Sequence, residues 1–121
     1  MKTILAVEDS AVILLYIEES LKKNGYNVLT AKNGNKALAQ IENIEGTIDL
    51  FIIDIIMSGM DGLTLIRKIR QIERYNQSPV IVLTSVSDET AIEDAKSAGA
   101  NCWINKPFEM DDLIAAIERL G

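Results

Sequence analysis

Glu8-Asp9, Asp54, Thr84 and Lys106 each close a run of apolar residues. Thr-Ile-Leu-Ala-Val precedes Glu8, Leu-Phe-Ile-Ile precedes Asp54, Val-Ile-Val-Leu precedes Thr84, and Cys-Trp-Ile-Asn precedes Lys106. A carboxylate beside apolar chain is costly unless something pairs with it or uses it. Three carboxylates brought close together repel, and cannot all stay ionised cheaply without a cation. Mg²⁺ suits them, being hard and bound through oxygen. The chain has no histidine and one cysteine, Cys102, which disfavours zinc and copper and excludes a disulfide framework. With a lysine ammonium and a hydroxyl alongside, the set offers an oxygen nucleophile and charge stabilisation for a transferring phosphoryl group. Asp54 is the candidate nucleophile, forming an aspartyl phosphate.

For these groups to meet, the apolar runs must lie side by side as strands. Residues 3–7, 26–30, 49–53, 80–83 and 101–105 read as five strands, the first and third apolar enough to be buried on both faces. Helical patterns alternate with them. The first runs from its Ser10 cap to about Asn24, with Gly25 as its stop. The second opens at Asn33-Gly34, with Ala37, Leu38, Ile41 and Ile44 as its stripe. The third covers 62–74 behind an Asp61 cap, the fourth runs from an Asp88 cap to Gly99, and the last starts near Glu109. Short connections between alternating elements specify an α/β doubly wound, flavodoxin-like (βα)5 fold, with a parallel sheet in the order 2-1-3-4-5. Its switch point falls between strands one and three, where Glu8, Asp9 and Asp54 make an acidic crevice. The first helix is apolar nearly all round over 11–17, so at least two of Val12, Leu14, Leu15 and Tyr16 must face solvent. They make a candidate docking surface.

At 121 residues, with 48% hydrophobic and 25% charged residues, the chain is expected to be one globular domain over 1–121. It contains neither a signal-peptide pattern nor the roughly 20 apolar residues needed to span a bilayer, so a cytoplasmic location is expected. A net charge of −6 argues against nucleic acid as a direct partner.

These residues, in this order on five alternating strands, resemble the receiver domain of bacterial response regulators over the whole chain. The acid pair is Glu8-Asp9, the phosphoacceptor position is Asp54, and the following loop reads Met57-Ser58-Gly59-Met60-Asp61-Gly62. Thr84 and Lys106-Pro107-Phe108 complete the pattern. The resemblance implies a phosphoacceptor signalling domain of a two-component system, not an enzyme beyond its own phosphorylation and dephosphorylation. Asp9, Asp54 and the Ile56 carbonyl would ligate Mg²⁺, with Glu8 acting directly or through water. Thr84 and Lys106 would grip the phosphoryl oxygens, and Lys106-Pro107 would be cis. A sensor histidine kinase or phosphotransfer domain would be the donor, docking near the first helix, and a downstream protein the target. Ending after the fifth helix, the chain looks like the stand-alone type. Whether phosphorylation drives dimerisation through the fourth helix, fifth strand and fifth helix is left open by the sequence.

Departures from the family pattern also carry expectations. Ser58 replaces a usual proline, and Glu8 a commoner aspartate. Trp103, with Thr84, would form the switch, although an indole is large for a full inward turn. Ile56 and Val86 cannot hydrogen-bond an attacking water, which implies slow self-dephosphorylation. The competing readings are weaker. A flavin-binding electron carrier would want a hydroxyl- and Gly-rich phosphate loop where Glu8-Asp9 stand. An Asp-nucleophile phosphohydrolase would want a second acid at Ile56.

Overall fold

The computed structural model describes residues 2–85 and 89–121. Five parallel strands, β1 (Thr3–Val7), β2 (Asn27–Ala31), β3 (Leu50–Asp54), β4 (Val80–Thr84) and β5 (Cys102–Asn105), form one sheet in the order β2-β1-β3-β4-β5. Five helices connect or follow them: α1 (Ala11–Lys23), α2 (Gly34–Asn43), α3 (Gly62–Arg70), α4 (Glu89–Ala98) and α5 (Met110–Leu120). Side chains alternate across a strand, and the core divides accordingly. Leu5, Val7, Phe51, Ile53, Val80 and Val82 meet α2, α3 and α4 on one face, through Ala37, Ile41, Leu65, Ile66, Ile69, Ala95 and Ala98. Ile4, Ala6, Leu50, Ile52, Ile81 and Leu83 meet α1 and α5 on the other, through Leu14, Ile17, Leu21, Leu113, Ala116 and Ile117. Each fully buried Leu or Ile stabilises the fold by about 1.5–3 kcal/mol. That margin lets the carboxyl edge of the sheet hold buried polar groups.

Caps set the helix starts as the sequence predicts. Ser10, Asn33 and Asp61 side chains accept from the backbone N–H groups of Ile13, Lys36 and Thr64. The Asp88 cap expected for α4 lies outside the described residues.

Several boundaries differ from expectation, each for a local reason. β2 starts one residue late because the Tyr26 N–H still donates to Leu21 O, closing α1. β3 is shifted likewise. Asp49 stands before it, accepting from the Thr3 N–H at 2.8 Å, while Asp54 is inside the sheet opposite Leu83. α3 stops at Arg70 rather than Arg74, and a 3-10 turn follows over Glu73–Tyr75. Tyr75 is the cause. Its buried ring stands edge-on to Phe51 at 5.4 Å, and its hydroxyl accepts from the Ile48 N–H. Arg70 fixes the break from the other side, donating to the carbonyls of Tyr75 and Gly99.

Gly62, the first residue of α3, decides how close that helix comes to the end of β3. A Cβ there would overlap the Asp54 carbonyl oxygen and stand 2.7 Å from Ile55 Cα, both of them backbone. No side-chain rotation relieves such a contact. Gly62→Ala should therefore cost about 1–3 kcal/mol, read as a lower urea midpoint with unchanged m-value. A midpoint equal to that of the parent protein would mean that α3 slides freely at this end.

Candidate functional site

All the strand ends singled out in the sequence arrive at one edge of the sheet. The Glu8 N–H donates to Ala31 O at 3.1 Å, extending the β1–β2 ladder by one residue. This turns the Glu8 side chain inward, where it is 1% exposed, while the next residue, Asp9, is on the surface. Asp54 ends β3 and is 3% exposed; Thr84 ends β4 and is 2% exposed. Lys106 follows β5, its N–H donating to Thr84 O at 2.7 Å, so the two residues are tied through the backbone. The Lys106-Pro107 peptide is cis, as the resemblance implied.

Lys106 is the hub. Its ammonium stands 2.9 and 3.1 Å from the two Glu8 oxygens and 3.1 Å from Asp54 Oδ2. Beside the phosphoryl-gripping role that the resemblance implies, Lys106 thus has a place in the resting protein, as counter-ion to both buried acids. Glu8, Asp9 and Asp54 each bring a carboxylate oxygen within 4.8 Å of the others, and the set fits a hard divalent cation. The loop beyond Asp54 reaches the same acids. The Ile56 N–H donates to Asp54 Oδ1 and the Ser58 N–H to Asp9 Oδ2, each at 3.3 Å.

Two buried carboxylates facing one ammonium leave a surplus negative charge. Burial raises the Glu8 carboxyl most, its hydrogen bond to Asp54 raises it further, and Lys106 offsets only part, so it titrates at about 7. Burial depresses Lys106, but the hydrogen bonds and charges of Glu8 and Asp54 outweigh it and leave the ammonium strengthened.

The surroundings are apolar. Val12, Leu15 and Tyr16 are exposed along α1, whereas Leu14 faces the core, as the helix pattern required. Tyr16 stacks on Phe108, and a cleft of about 170 Å³ lined by Ile13, Tyr16, Lys106, Pro107 and Phe108 opens beside the lysine. Ile56 is exposed on the other side of Asp54. Trp103 is half-buried against the α2–α3–α4 core, with the Lys96 ammonium 5.0 Å from its ring centroid. Val86 lies outside the described residues. Sequence reasoning missed three contributors: Gly62, Lys96 and the Ser58 N–H. The Asp61-Gly62 pair was read as a helix start, and nothing in it announces how near the helix comes to Asp54.

An acidic crevice would repel a phosphate-bearing cofactor at the switch point of this sheet. The same crevice, with its lysine, suits a domain that takes a phosphoryl group onto itself. The fold and the crevice thus define a phosphoacceptor domain of the doubly wound class.

Comparison with known proteins makes the assignment specific. The response regulator receiver domain family matches residues 4–118, and the chain belongs to it. It is 36% identical over 117 residues to the chemotaxis protein CheY of Bacillus subtilis, covering 96% of this chain and 94% of that one. It is 38% identical over 113 residues to the transcriptional regulator NtrC of Salmonella typhimurium, covering 93% of this chain but only 23% of NtrC. Among solved structures, CheY4 of Vibrio cholerae superposes with a TM-score of 0.95 at 30% identity, covering 100% of this chain and 99% of that one. The Thermotoga maritima response regulator TrrA, in complex with Mg²⁺-BeF, gives 0.85 at 32% identity with both chains fully covered. The protein is a signalling domain of the two-component type, and the flavin-carrier and phosphohydrolase readings are not favoured. No helix among the described residues is long and apolar enough to cross a membrane.

Proposed function

We propose that Asp54 is the phosphoacceptor and that Glu8, Asp9, Asp54 and the Ile56 carbonyl hold Mg²⁺, directly or through water. The convergence of three carboxylates and the Lys106 ammonium at one sheet edge carries this reading. TrrA, solved with Mg²⁺-BeF, has the same fold and supports it. An Asp54 oxygen attacks the phosphorus of a donor phosphohistidine. The new O–P bond forms as the donor N–P bond breaks, and the imidazole leaves with the electron pair. Lys106 turns from the Asp54 carboxylate to a phosphoryl oxygen, and the Thr84 hydroxyl donates to another. Mg²⁺, when bound, supplies the remaining charge neutralisation on those oxygens. The phosphodonor is a sensor histidine kinase or phosphotransfer domain that covers the apolar surface of α1 beside the cleft at Lys106. The output is a downstream protein bound through a surface that Thr84 and Trp103 switch, in a single domain working in the cytoplasm. Incubation with acetyl phosphate and Mg²⁺ should add one phosphoryl group by intact mass, and EDTA should prevent it. No mass gain would overturn the proposal.

The Glu8 proton gives this site a pH signature. A carboxyl raised from 4.5 to about 7 on folding binds more protons in the native state. Its contribution to stability is complete below about pH 4.5 and is lost as the pH rises through about 7. Mg²⁺ takes the proton's place, so its apparent affinity falls by up to about tenfold for each pH unit below 7. The gain in Tm on adding Mg²⁺ should therefore be larger at about pH 8 than at about pH 5.5. Equal gains at both pH values would show that Glu8 does not compete with the ion.

A further inference from the structure

The loop that joins β3 to α3 is held firmly at its ends. The Ile55 N–H donates to Leu83 O at 3.0 Å, and the Gly62 N–H to Ile55 O at 2.8 Å. Between them, the hydrogen bonds from Ile56 and Ser58 are long, and both end on Asp54 and Asp9. Those are the carboxylates a divalent ion would claim, so the interior of the loop needs an anchor that does not depend on them.

The anchor is apolar. Met57 is buried, and Met60 packs half-buried against the core that includes α2 and α3. Met60 lies on Gly34, the first residue of α2: a Cβ there would stand 2.6 Å from Met60 Sδ and 3.1 Å from its Cβ and Cγ. Gly34 is not among the glycines of positive φ, which are Gly25, Gly59 and Gly99. Its backbone would accept alanine, and alanine is the better helix former. What the position requires is empty space under the thioether.

We infer that Gly34 and Met60 form a positioning contact. The bare Cα of α2 seats Met60 and so fixes the loop that presents the Ile56 carbonyl to the ion. The inference rests on the Mg²⁺ reading above for its functional consequence, but the contact itself can be tested without metal. Gly34→Ala, Met60→Ala and the double variant are compared with the parent chain. In metal-free protein, hydrogen exchange over residues 55–61 should quicken by about tenfold in either single variant. It should be no faster in the double variant than in Met60→Ala, since nothing is then left to displace. The Mg²⁺ Kd should weaken by about tenfold in both single variants, while the Tm of Gly34→Ala stays level or rises. Unchanged loop exchange in Gly34→Ala, or effects that add in the double variant, would overturn the contact. A parent chain that binds no Mg²⁺ would remove the metal reading, and the exchange data would still decide the contact.

Discussion

Asp54→Asn is expected to abolish phosphoryl uptake from acetyl phosphate, leaving the intact mass unchanged under conditions where the parent chain gains one phosphoryl group. The amide is nearly isosteric, so the buried position at the end of β3 stays filled and the register opposite Leu83 is kept. What disappears is the anionic oxygen, and a neutral amide cannot form the acyl phosphate. The substitution also removes the hydrogen bond and the charge that help to raise Glu8. The Glu8 carboxyl should fall toward its ordinary range, and the pH dependence of the Mg²⁺ effect should flatten with it. The two readouts separate the nucleophile from its surroundings. Retained uptake with an unchanged pH profile would mean that another carboxylate accepts the group; Asp9, exposed beside the crevice, would be the first to examine. Loss of folding is not expected: the Asp54 pairing with Lys106 and its hydrogen bond with Glu8 are given up, but so is the charge repulsion with Glu8, and Lys106 keeps its ion pair with Glu8.

The parts of this site legible in the sequence were those written in residue type and strand position. Apolar runs that end on acids, a threonine and a lysine place those groups at one sheet edge once the strands are parallel, and the structure gathers the three acids there with the Lys106 ammonium in ion-pair reach of Glu8 and Asp54. The double face of the sheet was legible for the same reason, since β3 is apolar at every position up to Asp54. Other features depend on distances that no pattern encodes. That α3 packs directly on the Asp54 carbonyl makes Gly62 obligatory, yet an Asp-Gly pair reads equally well as an ordinary helix start. The seat of Met60 on Gly34 joins a loop residue to the first residue of a helix, two places that no local pattern connects. The early end of α3 follows from Tyr75 choosing the Phe51 ring and the Ile48 N–H over another turn of helix, a tertiary preference that overrides local periodicity. The pairing of Glu8 with Lys106 was hidden for a further reason. A lysine after the fifth strand announces a cation for phosphate, and only burial of both acids shows that it has work in the resting protein.

That double duty gives Lys106 opposite effects on the two halves of the function. Lys106→Met keeps the stem that lines the cleft beside Tyr16 and Phe108 and removes the charge. With no ammonium to stabilise the phosphoryl oxygens, uptake from acetyl phosphate should slow by about 10²–10³-fold. Binding of Mg²⁺ should change the other way. In the parent chain the ammonium sits 3.1 Å from Asp54 Oδ2 and 2.9 Å from Glu8 Oε1, competing with any cation that approaches the same oxygens. A unit charge a few ångströms from a divalent ion is worth more than about 1 kcal/mol even at the dielectric of a protein surface, so its removal should tighten the ion by about tenfold or more. Protons share that advantage. Without Lys106 the partial lowering of Glu8 is lost, and the carboxyl holds its proton to higher pH. The tightening is therefore muted near pH 7 and exposed near about pH 9, where the proton no longer competes. Titration of the substituted protein with Mg²⁺ at both pH values, alongside the rate of mass gain, distinguishes this account from simple damage. A disrupted crevice would lose ion and phosphoryl group together. A competing counter-ion, once removed, surrenders the phosphoryl group and holds the ion harder.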